Sequence, residues 1–561
     1  MTTSTREAVA AAFRAAIDRA AADLGWPADA VGGPLTVEYP ANPAHGDFAL
    51  SAPLRLSKPL RKPPLAIAED IRARFPASDM AASVEVAQPG FVNVRLADAW
   101  VARQADAIAA AGDAYGRSTR LVGKRIQVEF ISANPTGPMT VGNARGGPIG
   151  DVIANALAFA GADVQREFYV EDGGGQVKRF GLSVALRYRE LLGETVELTP
   201  DLYQGDYVKD IAAWIRERHG DAHRDLPLEE QARAFAPLAI DWSVEQAQRV
   251  TGKFGIRFDT WFRQSSFIES GYLAGTIEAL RVRGVIVERD GVVFFETPEA
   301  VALRRDGDEG WVLVDARGEP KYLGTDIAYH RLCLEERGFD LKLDIWGQNT
   351  QYHLQQMRVA LPVLGIDLSR FEVVIYQYVR FVHEGVLTRM GKRTGLYLQL
   401  EDVIDAVGKD VARWFFLQSS TDRPLDFDLE LAIKQSSANP AYYVQYAHAR
   451  ISSIFRTAAE RGLSSDGADV SLLTDPGEVA LVKMLLRFPD LVTDVVERRA
   501  PHLLTVYCLE LAGMFHTFYR DHRVVSDDAA LSRARLRLVQ AAQVTLRQAL
   551  GLLGISAPEK M

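Results

Sequence analysis

Apolar positions recur at helical spacing at both ends of the chain and at strand spacing between them. Residues 1–24 carry Val9, Phe13, Ile17 and Leu24 on one helical face, and a second helix is predicted over about 64–75. The run 84–94 alternates like two strands around the turn at Pro89-Gly90, which makes a compact α+β unit ending near residue 115. The next block alternates strand and helix. Strand candidates at 126–132, 165–170, 343–346 and 372–377 with helical patterns between them predict a parallel sheet covered on both faces. The interval 176–260 is mostly helical and has the character of an insertion. A hairpin follows, with Val285-Ile286-Val287 and Val292-Val293-Phe294 joined at Asp290-Gly291. From about 402 the pattern is all-helical, in segments 402–417, 440–460, 478–498, 502–522 and 532–553. Pro489 should kink or split the third of these. The class is α/β and multi-domain.

Composition narrows this picture only modestly. Among 561 residues, 48% are hydrophobic and 24% charged, which is ordinary for globular protein and too long a chain for one core. No apolar run reaches the roughly 18 residues of a membrane span, and the N-terminal segment lacks the pattern of a secretory signal. Two isolated thiols, Cys333 and Cys508, suit a reducing compartment, so a cytoplasmic, membrane-free protein is expected. The net charge of −9 means that a nucleic-acid partner must be met by local basic patches. Candidates are Arg55, Lys58, Arg61 and Lys62 near the front, and Arg533, Arg535, Arg537 and Arg547 near the end. Tyr442, Tyr443, Tyr446, Phe518 and Tyr519 could stack on unpaired bases.

The chemistry concentrates in segment 132–145, Ser-Ala-Asn-Pro-Thr-Gly-Pro-Met-Thr-Val-Gly-Asn-Ala-Arg. A strand that feeds a helix through a Pro/Gly turn turns backbone N–H groups and the positive helix end toward whatever binds there, which suits phosphate. Gly146-Gly147-Pro148 weakens the first helical turn, so the helix is expected from about residue 149. A basic loop, Arg389-Met390-Gly391-Lys392-Arg393, supplies further cations. Tyr322 and Asp326 stand four residues apart and reach one site if that segment is helical.

These motifs resemble those of class I aminoacyl-tRNA synthetases, in the arginyl branch. The His-x-Gly-His tetrad of that family stands where this chain has Thr140-Val141-Gly142-Asn143. The Lys-Met-Ser-Lys loop corresponds to Arg389-Met390-Gly391-Lys392. The resemblance continues in His45-Gly46-Asp47-Phe48, in Gln88-Pro89-Gly90-Phe91, and in the helical segment opening at Asn439-Pro440-Ala441-Tyr442-Tyr443. It implies a tRNA-contacting domain over 1–115 and a Rossmann-like catalytic domain over 116–400 with an insertion at about 176–316. It further implies a connector over 401–438 and an anticodon-binding helical domain over 439–561. The implied reaction joins arginine to ATP as an adenylate, with Mg²⁺, and then transfers it to the 3′ end of tRNA(Arg); the family is usually monomeric.

On this resemblance Pro135, Gly137, Thr140, Gly142 and Asn143, with Arg389, Met390 and Lys392, would hold ATP. Thr140, Gly142, Asn143, Arg389 and Lys392 would assist the chemistry. Asn134, Gln264, Tyr322 and Asp326 would hold arginine. Several positions depart from the family. Thr140 and Asn143 can donate hydrogen bonds but carry no charge. Losing a charged stabiliser can slow a reaction about 10- to 1000-fold. Gln264 replaces an acid, and Glu171 and Gly175 replace asparagines in Glu171-Asp172-Gly173-Gly174-Gly175-Gln176. Segment 346–353 differs as well. Two alternatives follow from these departures: an eroded paralogue that binds tRNA or an amino acid without charging, and a class I ligase of altered amino-acid specificity.

Overall fold

A computed structural model describes residues 4–305, 307, 309–383, 386–388 and 399–561. The chain opens on helix Thr5–Leu24, where Ser4 and Glu7 form a reciprocal cap and Val9, Phe13 and Ile17 are buried. This helix packs with a four-stranded antiparallel sheet in the order Val37–Glu38, Phe48–Leu50, Phe91–Leu96, Ala81–Ala87. The pair of strands around Pro89-Gly90 is as the alternation predicts.

The centre of the molecule is a five-stranded, all-parallel sheet. Its order is Phe371–Tyr376, Leu341–Gly347, Arg125–Phe130, Asp163–Val170, Thr260–Arg263. Residues 126–130 are buried without a break, which is how a strand covered on both faces reads. The four anticipated strands are all present. Thr260–Arg263 is a correction: the predicted insertion of 176–316 is not continuous, because the chain returns to the sheet there. Before that return, helices Gly174–Leu191, Asp206–His219 and Leu228–Lys253 pack together. After it, Ile286–Arg289, Val292–Phe295 and Trp311–Val314 form a small antiparallel sheet.

A second correction concerns the helix after the Pro/Gly turn. It does not wait for residue 149. Val141–Ala144 and Gly146–Phe159 are both helical, and Arg145 between them has right-handed helical angles. Two glycines cost about 1 kcal/mol each in an isolated helix. Here they permit close packing: a Cβ on Gly150 would sit 2.3 Å from the Phe130 ring, and one on Gly146 would sit 3.0 Å from Tyr376. The glycines lay the helix directly on the sheet.

The predicted helix at 402–417 is two, Leu400–Val407 and Lys409–Leu417, separated by Gly408 at φ +78°. The end of the chain is a bundle of Pro440–Glu460, Pro476–Leu486, Phe488–Arg498, His502–Asp521 and Ala529–Leu552. Pro489 splits the third predicted segment and lies in the first turn of the new helix. Helix Lys409–Leu417 is tied to helix Gly146–Phe159 by a buried ion pair and to the end of the bundle by a hydrogen bond. Arg413 reaches Asp151 Oδ2 at 2.5 Å and the Leu553 carbonyl at 2.8 Å. Cys333 and Cys508 are buried and unpaired. Among the described residues no helix is long and apolar enough to cross a membrane.

Candidate active site

In an open parallel sheet a ligand crevice forms beyond the carboxyl ends of the strands, where the chain order reverses. Here the reversal falls between Arg125–Phe130 and Leu341–Gly347, neighbours in space but far apart in sequence. A cavity of about 420 Å³ opens there. Its wall includes residues 129–132, Asn134, Gly142 and Asn143 from the first strand and the turn beyond it, and residues 345–350 from the other strand. Tyr169 and Glu171 contribute from one side, Tyr322 and Asp326 from another.

The first wall begins with strained backbone. Ile131 and Ser132 have φ of +67° and +39°, a region unfavourable for non-glycine residues. The bend is held by hydrogen bonds: Ser132 Oγ donates to Glu129 Oε1 at 2.9 Å and accepts from Tyr169 N at 3.1 Å. It leads out to Asn134, whose amide donates to Gln176 Oε1 at 3.2 Å. Pro135 and Gly137 do not line the cavity. Their turn is clamped from outside by Tyr207, whose hydroxyl donates to the Thr136 carbonyl at 2.9 Å. Thr140 is behind the wall too, and its hydroxyl donates to Asn143 Oδ1 at 2.7 Å. With that oxygen occupied, what Asn143 has left to offer is the donor capacity of its amide nitrogen.

Arg389, Met390 and Lys392 lie outside the described residues. The chain that follows them is tied to the first signature. Gln399 bridges Thr140, and Leu400 N donates to the Met139 carbonyl at 3.0 Å.

Helix Tyr322–Arg331 does place Tyr322 and Asp326 on one wall. Asp326 is only 6% exposed and meets His353 Nε2 at 2.6 Å. The His353 ring is held near Tyr322 and Trp346, with centroids 4.6 and 5.4 Å away. Behind this pair runs a buried polar chain. His330 contacts the Asp326 carbonyl and Asp344 Oδ2, both at 2.7 Å, and Lys342 Nζ lies 2.7 Å from Asp344 and 2.8 Å from Glu129. Burial drives the Glu129 carboxyl upward against the opposing pull of Lys342. Burial also works against ionised Asp344, but Lys342 and His330 outweigh it and hold the carboxyl low, at about 2.

Gln264 lies off the cavity wall. It is buried at the start of helix Gln264–Glu269, with its amide nitrogen 3.9 Å from where a Cβ on Gly173 would stand. Among the groups at the site that sequence reasoning missed are Tyr169, the acid Glu129, and His353 as the partner of Asp326. No spacing links them, since they come from separate strands and a later helix. The proposed basic contacts are partly consumed internally. Arg535 pairs with Glu478 at 2.7 Å, Arg537 with Asp106 at 2.7 Å, and Arg547 with Asp113 at 2.6 Å. Phe518 is buried, whereas Tyr446 and Tyr519 are exposed and flank Arg450 at 4.7 and 4.9 Å.

A parallel sheet with its cavity at the switch point, a Pro/Gly turn into a helix and an appended helical bundle together define a class I synthetase architecture. Residues 107–415 match the model of the class I (R) tRNA synthetase catalytic domain, 7–96 that of the arginyl tRNA synthetase N terminal domain, and 444–561 that of the DALR anticodon binding domain. The chain belongs to the arginyl-tRNA synthetase family. It is 42% identical over 561 residues to an arginine--tRNA ligase of Desulforudis audaxviator, covering 99% of each chain. It is 41% identical over 564 residues to that of Moorella thermoacetica, covering 100% of this chain and 99% of the other. The solved arginyl-tRNA synthetase of Thermus thermophilus shares the fold, with a TM-score of 0.77 at 23% identity over 99% of this chain and 100% of that one.

Proposed function

We propose that the chain is an arginine--tRNA ligase that activates arginine with ATP to arginyl-adenylate and transfers it to the 3′ end of tRNA(Arg). One observation carries this reading. A single cavity sets amide donors, Asn134 and Asn143, against a buried carboxylate and a tyrosine, Asp326 and Tyr322. The amides suit a carboxylate and phosphates, and the acid suits a cationic side chain.

In this reading Asn134 holds the amino and carboxylate ends of arginine, and Asp326 with Tyr322 holds its guanidinium. Asn143 donates to phosphate oxygens, oriented by Thr140, while Gly142 lets the backbone approach. Pro135 and Gly137 shape the turn rather than touching ligand. Gln264 supports the wall from behind Gly173. Arg389, Met390 and Lys392 contribute to ATP binding as the resemblance implies, with Lys392 neutralising the departing pyrophosphate. Among the described residues no three His, Cys, Asp or Glu side chains are grouped to hold a metal. Mg²⁺, which prefers phosphate oxygens, would supply positive charge at the triphosphate when bound. The functional units are 1–115 and 439–561 for tRNA, 116–400 for catalysis and 401–438 as connector. We extend the reading to a monomer acting in the cytoplasm, where charged tRNA is used.

The test is exchange of labelled pyrophosphate into ATP with arginine, Mg²⁺ and tRNA(Arg). Exchange that needs arginine supports the proposal. No exchange with any tRNA, or exchange driven by another amino acid, defeats it.

A further inference from the structure

The cavity wall contains a carboxylate that no group satisfies among the described residues. Of its three acids, Glu129 is bonded to Lys342 and Ser132, and Asp326 to His353. Among the described residues Glu171 has neither a hydrogen bond nor an ion pair, and none of those lining the wall is a lysine or arginine. Its backbone is nonetheless fixed. Glu171 directly follows strand Asp163–Val170, and the next residue, Asp172, accepts from Ser265 N at 2.8 Å and Ser265 Oγ at 2.7 Å. A second polar group nearby is also unsatisfied: Tyr169, on the same wall, is 8% exposed and its hydroxyl has no hydrogen-bond partner. Groups left unpaired in this way point to a ligand rich in donors.

The charges point to the kind of ligand. Glu171 is pushed up to about 7 by burial and by the like charge of Asp326. The titratable groups around it are Asp326 and Tyr322 on helix Tyr322–Arg331, Tyr169 on its own strand, Glu129 on the adjacent strand, and Asp172 with Arg263 beside the turn. His353 is bonded to Asp326. Two acids that repel within one cavity are both relieved by one cation between them. A guanidinium, with five N–H groups in a plane, can serve two carboxylates at once.

We propose that Glu171 is the second carboxylate for the substrate's guanidinium, facing Asp326 across it, and so sets specificity for a cationic side chain. This rests on the arginine-activating reading above.

The experiment compares the full-length protein with Glu171→Gln and Glu171→Asp. It measures arginine affinity by calorimetry and arginine KM by pyrophosphate exchange from pH 6 to 8.5, with citrulline as the neutral competitor of the same shape. Glu171→Gln should weaken arginine binding about 10- to 100-fold with little change in kcat, the range of a lost charged hydrogen bond. Discrimination between arginine and citrulline should shrink by a similar factor, and Glu171→Asp should recover part of both. Below about pH 7 the Glu171 carboxyl is protonated and neutral, so wild-type affinity should weaken as pH falls through 7, and the Gln variant should lose that dependence. Unchanged affinity in Glu171→Gln overturns the proposal. So does an equal loss for arginine and citrulline, which would place the carboxylate on their shared α-ammonium. The wild-type pH dependence stands even if a variant fails to fold, and a flat profile counts against the proposal. A wild type that binds arginine without exchange fails the catalytic reading alone, whereas one that binds no arginine fails both.

Discussion

The Thr140 hydroxyl donates to Asn143 Oδ1 at 2.7 Å, and of the two only Asn143 lines the cavity. The pair therefore divides the labour that two ligand-facing donors would share. On the proposed reading Thr140 orients and Asn143 contacts the phosphates. A neutral donor in a preorganised position retains part of the stabilisation a charged one provides, because no reorganisation is needed when charge develops.

Unequal effects of substitution follow from this arrangement. Asn143→Ala should lower the exchange rate about 10- to 100-fold, the range for losing one donor to a developing charge. Thr140→Ala removes only the orienting bond and should cost about 3- to 10-fold, given roughly 1 kcal/mol for a neutral hydrogen bond. Steady-state exchange at saturating arginine and ATP checks the order. A larger loss for Thr140→Ala would make it the contacting residue.

The Asp326–His353 contact at 2.6 Å fixes one carboxylate oxygen, and on the proposed reading the other serves the arginine guanidinium. Asp326→Asn should raise the arginine KM about 10- to 100-fold, as a charged hydrogen bond becomes a neutral one. His353→Ala leaves the charge but frees the carboxylate to turn, so its KM should rise less. Exchange kinetics with varied arginine measures both.

Arg413 is fully buried against Asp151, the Leu553 carbonyl and the Phe254 carbonyl. Arg413→Ala leaves Asp151 with Arg166 at 3.4 Å as its remaining ion-pair partner and should destabilise the protein by about 3 kcal/mol, the low end for a broken buried pair. Arg413→Lys keeps the charge but not the fork of donors, so it should recover only part. Thermal unfolding followed by circular dichroism gives the order wild type, Lys, Ala.

Acid should weaken the molecule through Asp344. Its carboxyl is held at about 2 in the fold, against roughly 3.9 when unfolded, by Lys342 and His330 overcoming burial. A depressed acid contributes stability that is fully present above about pH 4 and is lost as pH falls through 2. The stability gap between wild type and Asp344→Asn should therefore shrink between pH 5 and pH 2.5. Melting temperatures across that range test it, and a gap independent of pH would contradict it.

The sequence showed most where local rules decide the outcome. Pro489 splits a helix because its ring cannot continue one. The four long sheet strands were visible as short stretches of β-branched and aromatic residues between helical patterns. Thr260–Arg263 was invisible because four residues become a strand only through pairing, as Trp261 does opposite Phe168. Gly146 and Gly147 misled because their local cost is outweighed by packing against Tyr376, Ile131 and Ile256. In the site, Asn134, Asn143, Tyr322 and Asp326 were reached through motif resemblance, and the cavity includes all four. Tyr169 and His353 lie in segments that only the folded sheet brings together, so no spacing could reveal them.

The most direct measurement is charging of tRNA(Arg) with labelled arginine by wild type, Asn143→Ala and Asp326→Asn, with ATP and arginine varied separately. If one cavity holds phosphates at Asn143 and arginine at Asp326, wild type charges the tRNA. Asn143→Ala then loses rate or ATP affinity while keeping its arginine KM, and Asp326→Asn does the reverse. A wild type that never charges tRNA(Arg), or a shift of the arginine KM alone in Asn143→Ala, would contradict that arrangement.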